Sequence, residues 1–211
     1  MPVSFTLGVA ITMQFSPAPH AELDRAKQAI KAMLQSTTLD DFEEQWKVFL
    51  HRLERSWSKV KAHYGRSPKF GNWSAQVEEL RKKDSLLSYL CNARGAEEHT
   101  VADITARQPG SIGIGLADGV GVQPDGSIHI EHIEFNSGPD GFQVKSAQPL
   151  KLTFIPAKTS MLPVTNRGRT YEVPISHIGT PLDPNDIPAV AEQALAFYAK
   201  AVSNAEAFFV K

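Results

Sequence analysis

The chain has 211 residues, of which 42% are hydrophobic, 21% charged and 9% aromatic, with 14 Gly and 14 Pro. This is ordinary globular composition, and it excludes collagen-like, low-complexity and wholly disordered classes. A net charge of −1 supplies no global field for nucleic acid or membrane, and one cysteine, Cys91, allows neither an internal disulfide nor a Cys-based zinc site, so a reducing, cytoplasmic setting is expected.

Val3, Phe5, Leu7, Val9, Ile11, Met13 and Phe15 occupy alternate positions, with mostly polar or small residues between them. That is the period of a half-buried strand rather than of a signal helix, so residues 3–15 are read as a β-strand. No stretch approaches the ~18–20 apolar residues of a membrane span, and no membrane partner is expected. After Ser16-Pro17-Ala18-Pro19 a helix is predicted to about Gln35, with Leu23, Ala26, Ile30 and Met33 inward. Thr37/Thr38 before Asp40/Asp41 starts a second helix. Its stripe of Phe42, Trp46, Phe49, Leu53, Trp57, Val60 and Tyr64, ended by Gly65, is the strongest helical signal and requires a bundle. Ser74 is the expected N-cap of a third helix, which Asp84 restarts or kinks before a leucine-rich run to Arg94, with helical character fading near His99.

From Pro109 to Pro184 glycine, proline and β-branched residues dominate. Asp125-Gly126 reads as a hairpin turn, and Ile128/Ile130 against Ile133/Phe135 changes phase, which predicts a bulge. Pro149–Pro156 and Thr170–Ile178 are further strand candidates, and the N-terminal strand is expected to join this β part. Asp183-Pro184-Asn185-Asp186 opens a closing helix with Val190, Ala194, Phe197, Tyr198, Ala201, Ala205 and Phe208 on its apolar face. The expected fold class is therefore α+β in a single domain. A helical bundle spans about 19–105 and 184–210, and a sheet is formed by the N-terminal strand (3–15) and the β-rich segment 109–180.

Chemistry concentrates at residues 84–99, Asp-Ser-Leu-Leu-Ser-Tyr-Leu-Cys-Asn-Ala-Arg-Gly-Ala-Glu-Glu-His. Arg94 and His99 enclose four residues at the end of a leucine-rich helix. Histidine titrates near neutrality and can take the proton of a ribose 2′-hydroxyl, while arginine offers a permanently charged fork matched to phosphate oxygens. The plain alternative is that Arg94 pairs with Glu97 or Glu98 and His99 caps the helix.

This run resembles the Arg-x4–6-His signature of the HEPN superfamily (higher eukaryotes and prokaryotes nucleotide-binding domains), and especially its bacterial members with a Leu-Leu-x-Tyr-Leu-x-x-Ala-Arg-Asn-x-x-x-His pattern. The resemblance implies a HEPN-like helical bundle that dimerises and acts as a metal-independent endoribonuclease, with no cofactor. On this reading His99 is general acid/base and Arg94 stabilises the phosphate; toxin or defence roles with an antitoxin partner belong to the same family. Active members commonly carry Asn, Asp or His after the arginine, where this chain has Gly95; Asn92 is the nearest polar substitute. A catalytically inactive module binding RNA, nucleotides or a protein partner is therefore the alternative.

Between Lys47 and Lys69 seven cations face one carboxylate, Glu54. Arg52, Arg55, Lys59, Lys61 and Arg66 are accordingly candidate nucleic-acid contacts, set against their being the solvated face of an amphipathic helix. Gly113, Gly115, Gly119 and Gly121 read as turns and strand ends rather than a phosphate loop. His129, His132 and His177 lack a convincing ligand spacing, so no metal is expected. Cys91 is read as packed rather than nucleophilic.

Overall fold

The computed structural model describes residues 13–99, 103–117, 130–135, 142–146 and 149–210, the side chains of Glu98, His99, Phe135 and Phe142 excepted. Two units result: Met1–Arg107 with Thr159–Lys211, and Gln108–Lys158.

The first unit holds five helices, α1 (Ala18–Gln35), α2 (Leu39–Tyr64), α3 (Phe70–Lys83), α4 (Ser85–His99) and α5 (Ile187–Phe209). Thr38 caps α2 by accepting a hydrogen bond from the Asp41 N–H at 3.1 Å, with Asp40 and Asp41 at the positive end of the helix dipole and Lys61 and His63 at the negative end. The aromatic stripe of α2 then fills the bundle: Trp46, Phe49, Leu53, Trp57, Val60 and Tyr64 are all buried. Burying each such side chain is worth about 1.5–3 kcal/mol. α1 and α5 both pack on α2 and on one another, and Tyr64 stacks on Phe209 at 5.2 Å to close one end. Asp186 caps α5 through the Ala189 N–H, and Pro188 is tolerated in the first turn as expected.

Asp84 is the break between α3 and α4. Its backbone is extended, and its Oδ1 accepts from the Leu87 N–H at 3.0 Å, which caps α4. α3 starts at Phe70, one turn before Ser74; the Ser74 hydroxyl instead donates back to the Gly71 carbonyl from inside the helix. α4 runs through Arg94 to His99, where the sequence reads helical character as fading.

The β structure of this unit consists of short ladders. β1 (Thr105–Gln108) pairs with β6 (Lys158–Met161), and β7 (Val164–Asn166) forms a hairpin with β8 (Arg169–Tyr171) through Arg167 and Gly168, both at positive φ. β9 (Ser176–His177) pairs with β10 (Thr180–Pro181) through Ile178 and Gly179, again both at positive φ. The expected strand over 170–178 is thus two fragments, because Pro174 has no N–H for a ladder.

The second unit contains two antiparallel ladders. β2 (Ser111–Leu116) pairs with β5 (Leu150–Ile155), which puts Ile112 opposite Phe154 and Ile114 opposite Leu152 on one face. β3 (Ile130–Phe135) pairs with β4 (Phe142–Ser146), and its register shifts between Ile130 and His132, where the change of phase predicts a bulge. A single sheet is not seen: the described strands form separate two-stranded ladders. Most of the expected N-terminal strand lies outside the described residues. Its described end, Met13, makes a parallel bridge to Val210 rather than to the β-rich segment. The overall class is α+β.

Candidate nucleic-acid interface

α4 carries the Arg-x4-His run, and β7 decides how closely it can be approached. The Asn166 side chain donates to Asn92 Oδ1 at 3.0 Å, and Asn92 Nδ2 donates to the Ser88 carbonyl at 2.8 Å. A Cβ on residue 95 would lie 2.6 Å from Asn166 Nδ2, so glycine is what leaves room for the Asn166 side chain in this position against the helix. Gly95 therefore has a packing cause, and the Asn92 amide is committed to Ser88 and Asn166. Arg94 is half-buried, and His99 is the last residue of α4, its side chain outside the described set.

Three residues past Arg94, and so on a neighbouring face of the same helix, Glu97 meets α2. Glu97 Oε2 lies 3.3 Å from His51 Nε2. Both line a polar groove of about 320 Å³ with Glu44, Lys47, Val48, Arg52 and Arg55. The α2 stripe that faces away from the aromatic core supplies the cations, since Arg52 and Arg55 are three residues apart.

These two arginines share a partner on α1. Glu22 has a side chain only 4% exposed; its Oε2 accepts from Arg52 Nη1 at 3.1 Å, and its Oε1 lies 3.0 Å from Arg25 Nη1 and 3.5 Å from Arg55 Nε. Burying a carboxylate is costly unless it is paired, and Glu22 meets that cost with three guanidinium groups. Neither Glu22 nor Arg25 was singled out in the sequence. The readable signal was a glutamate at position 22, four residues before buried Ala26 and seven before buried Ala29, on the inward stripe of α1.

The other expected nucleic-acid contacts separate from this pair. Lys59 is exposed one turn beyond Arg55 on the same stripe. Lys61 points round the helix to Glu78 of α3, 3.8 Å away, and Arg66 is exposed past the end of α2. The structure brings Arg52 and Arg55 together at the groove and leaves Lys59, Lys61 and Arg66 outside its lining.

A second polar cluster lies inside the bundle. Arg81, 8% exposed, pairs with Glu54 through Nη2 and with Glu78 through Nη1 at 3.4 Å, and its Nε donates to the Tyr198 hydroxyl at 3.0 Å. Its guanidinium lies over the Trp57 ring at 5.7 Å, and Trp57 Nε1 donates to Glu78 at 2.8 Å. Burial alone would lower the Arg81 pKa, but Tyr198, Cys91 and Glu54 override it and hold the value above the usual arginine range. Cys91 Sγ is 3.2 Å from Arg81 Nη2; burial pushes the thiol up against that cation, which makes it a packed group rather than a nucleophile.

His177, weighed in the sequence as a metal ligand, is instead 2.9 Å from Asp84 through Nδ1, in a pair almost wholly removed from solvent. Burial would raise the Asp84 pKa, but hydrogen bonds from the Ile178 N–H, His177 and the Leu87 N–H outweigh it and hold the carboxyl below its ordinary value. Of the other histidines weighed, His132 is exposed beside Glu134 and His129 lies outside the described residues. Among the described residues no three His, Cys, Asp or Glu side chains are grouped as a metal site would need. Gly113 and Gly115 lie within β2, opposite Thr153 and Lys151. No helix described is long and apolar enough to cross a membrane. Compared with protein-family models, curated proteins and solved structures, the chain finds no match.

Proposed function

We propose that the chain is a HEPN-like, metal-independent endoribonuclease in which Arg94 and His99 act on RNA delivered along the α2–α4 groove. One observation carries this reading. Glu97, inside the Arg-x4-His run, lines the same groove as Lys47, His51, Arg52 and Arg55, so the motif helix and the phosphate-matched cations border one surface.

The chemistry follows from the side chains. His99 takes the proton from a ribose 2′-hydroxyl, and the 2′-oxygen attacks phosphorus. The P–O5′ bond breaks, a proton passes to the leaving 5′-oxygen, and a 2′,3′-cyclic phosphate remains. Arg94 faces the charge that grows on the non-bridging oxygens, a form of stabilisation worth about 3–4 kcal/mol for a well-placed donor. Five residues along a helix separate the two groups by about 7.5 Å of rise. A homodimer, as the resemblance implies, would complete the site by bringing two Arg/His pairs to one cleft. A toxin or defence role with an antitoxin partner is the setting such an activity fits.

The test is cleavage of structured and unstructured RNA in chelator. His99→Ala and Arg94→Ala should each lower the rate by roughly 10²–10³, with cyclic-phosphate ends on the wild-type products. Equal rates in all three proteins would remove the reading. A second reading, RNA binding without cleavage, is favoured by one observation: the position after Arg94 is taken by a packing glycine, and the Asn92 amide is already bonded to Ser88 and Asn166. Salt-dependent RNA binding with no cleavage by the wild type would select it.

A further inference from the structure

Glu22 both orders the groove arginines and leaves them charge to spare. One carboxylate balances one of three guanidinium groups, so Arg25, Arg52 and Arg55 retain a surplus of two charges around a buried anchor. Among the described residues Arg52 and Arg55 are paired with nothing but Glu22; their side chains are 33% and 54% exposed, and both residues line the groove. An arginine held by one edge of its fork still offers several N–H donors, and fixing it in advance removes ordering entropy from the binding step.

The charges of the groove limit what fits. Lys47, Arg52 and Arg55 stand against Glu44 and Glu97, while Arg25 and Glu22 cancel, which leaves one net positive charge. That balance suits a singly charged phosphodiester better than a terminal phosphate or triphosphate, which carries more negative charge. A groove of about 320 Å³ is at the small end of ligand sites. Lys59, one turn beyond Arg55 and about 6 Å further along α2, extends the same cationic stripe for a strand to follow. We infer that Arg52 and Arg55, positioned by Glu22, seat one phosphodiester of a single-stranded RNA, with Glu22 a positioning residue that never touches the ligand. This rests on the RNA-directed reading above and names how that RNA is held.

The experiment measures binding of a labelled single-stranded RNA to the full chain by fluorescence anisotropy over a range of salt, with cleavage followed on gels from the same samples. In the double variant R52K/R55K the charge is kept and the forks are lost. Binding should weaken about tenfold, the equivalent of one charge-assisted hydrogen bond. Glu22→Gln should also weaken binding although it adds a net positive charge, because the arginines lose their anchor. Arg52→Ala should reduce the slope of log K against log salt by about 0.7. Binding by R52K/R55K within about twofold of wild type, or tighter binding by Glu22→Gln, overturns the seat in favour of diffuse charge. Should Glu22→Gln fail to fold, R52K/R55K decides alone, since both side chains reach solvent. Cleavage that persists with unchanged R52K/R55K binding overturns this inference and leaves the nuclease reading standing. Sensitive binding without cleavage does the reverse, and no binding by the wild type overturns both.

Discussion

Two arginine–glutamate clusters of the bundle are built in opposite proportion. In one, Arg81 serves two carboxylates, Glu54 and Glu78, over the Trp57 ring and beside Tyr198. In the other, Glu22 serves three arginines, of which Arg25 and Arg55 are about half exposed. A buried cation surrounded by acceptors has no capacity left for a ligand, so the first cluster acts on the fold. A buried anion surrounded by cations keeps positive charge at the surface, so the second has capacity for an anionic partner. The ratio of the charges, and which sign is buried, separates a structural cluster from a candidate site.

The largest effect should come from breaking the sealed cluster. Arg81→Met fills similar volume but leaves Glu54 and Glu78 without their shared cation, and a buried pair broken in this way costs on the order of 3 kcal/mol. Urea denaturation should show a lower midpoint with an unchanged slope. A midpoint equal to wild type would place Arg81 in the same class as the groove arginines and dissolve the comparison.

Asp84 should come next. It caps α4, and it also accepts from the Ile178 N–H at 2.7 Å and pairs with His177, so one carboxylate fastens the β9–β10 turn to the α3–α4 junction. Asp84→Asn should cost about 1–3 kcal/mol at neutral pH, the range for leaving buried partners imperfectly satisfied. Its folded pKa is depressed, so its contribution is complete above the ordinary carboxyl value and is lost as the pH falls through the folded value. Wild type and Asp84→Asn should therefore converge in stability below about pH 4. A difference that stays constant into acid would show that the charge is not what fastens the turn.

The same contrast marks what could be read from the chain. Helices were legible because an apolar stripe is a local signal: the run from Trp46 to Tyr64 gives both the helix and its buried face, and Asp84 marks the break between two helices. The register shift after Ile130 was legible because side-chain parity changes there. Ladders of two or three residues such as β7–β8 and β9–β10 were not, because they are set by Arg167, Gly168, Ile178 and Gly179 at positive φ and by contact with α4, which no periodicity encodes. At the candidate site, Arg52 and Arg55 were visible as excess charge, whereas Glu22 lay hidden as one polar residue on an inward stripe. The Asn166 approach to Gly95 needed a contact across more than seventy residues of chain.

α4 touches both clusters, Cys91 at Arg81 and Glu97 at the groove, and Gly95 lies between them in sequence. Gly95→Ala gains about 0.5–1 kcal/mol of helix propensity but drives a methyl group against Asn166, 2.6 Å away. Asn166 is the flexible end of a side chain and can turn aside at the loss of its bond to Asn92. The single variant should thus lie within about 1 kcal/mol of wild type, and Gly95→Ala with Asn166→Ala should exceed Gly95→Ala alone in thermal stability. If the double variant is the less stable one, the Asn166–Asn92 bond outweighs the methyl contact.

The smallest effect separates the two clusters most sharply. Arg52→Ala removes one of three cations from Glu22, and Arg25 and Arg55 remain within 3.5 Å of the carboxylate, so no buried charge is stranded. With the buried carboxylate still paired twice, losing the partly exposed Arg52 should cost only about 0–1 kcal/mol, and the unfolding midpoint should move by no more than that. A protein that keeps its stability but loses RNA affinity on Arg52→Ala carries its charge surplus for a ligand. A loss of stability comparable to that of Arg81→Met would instead make Glu22 and its arginines a second structural lock.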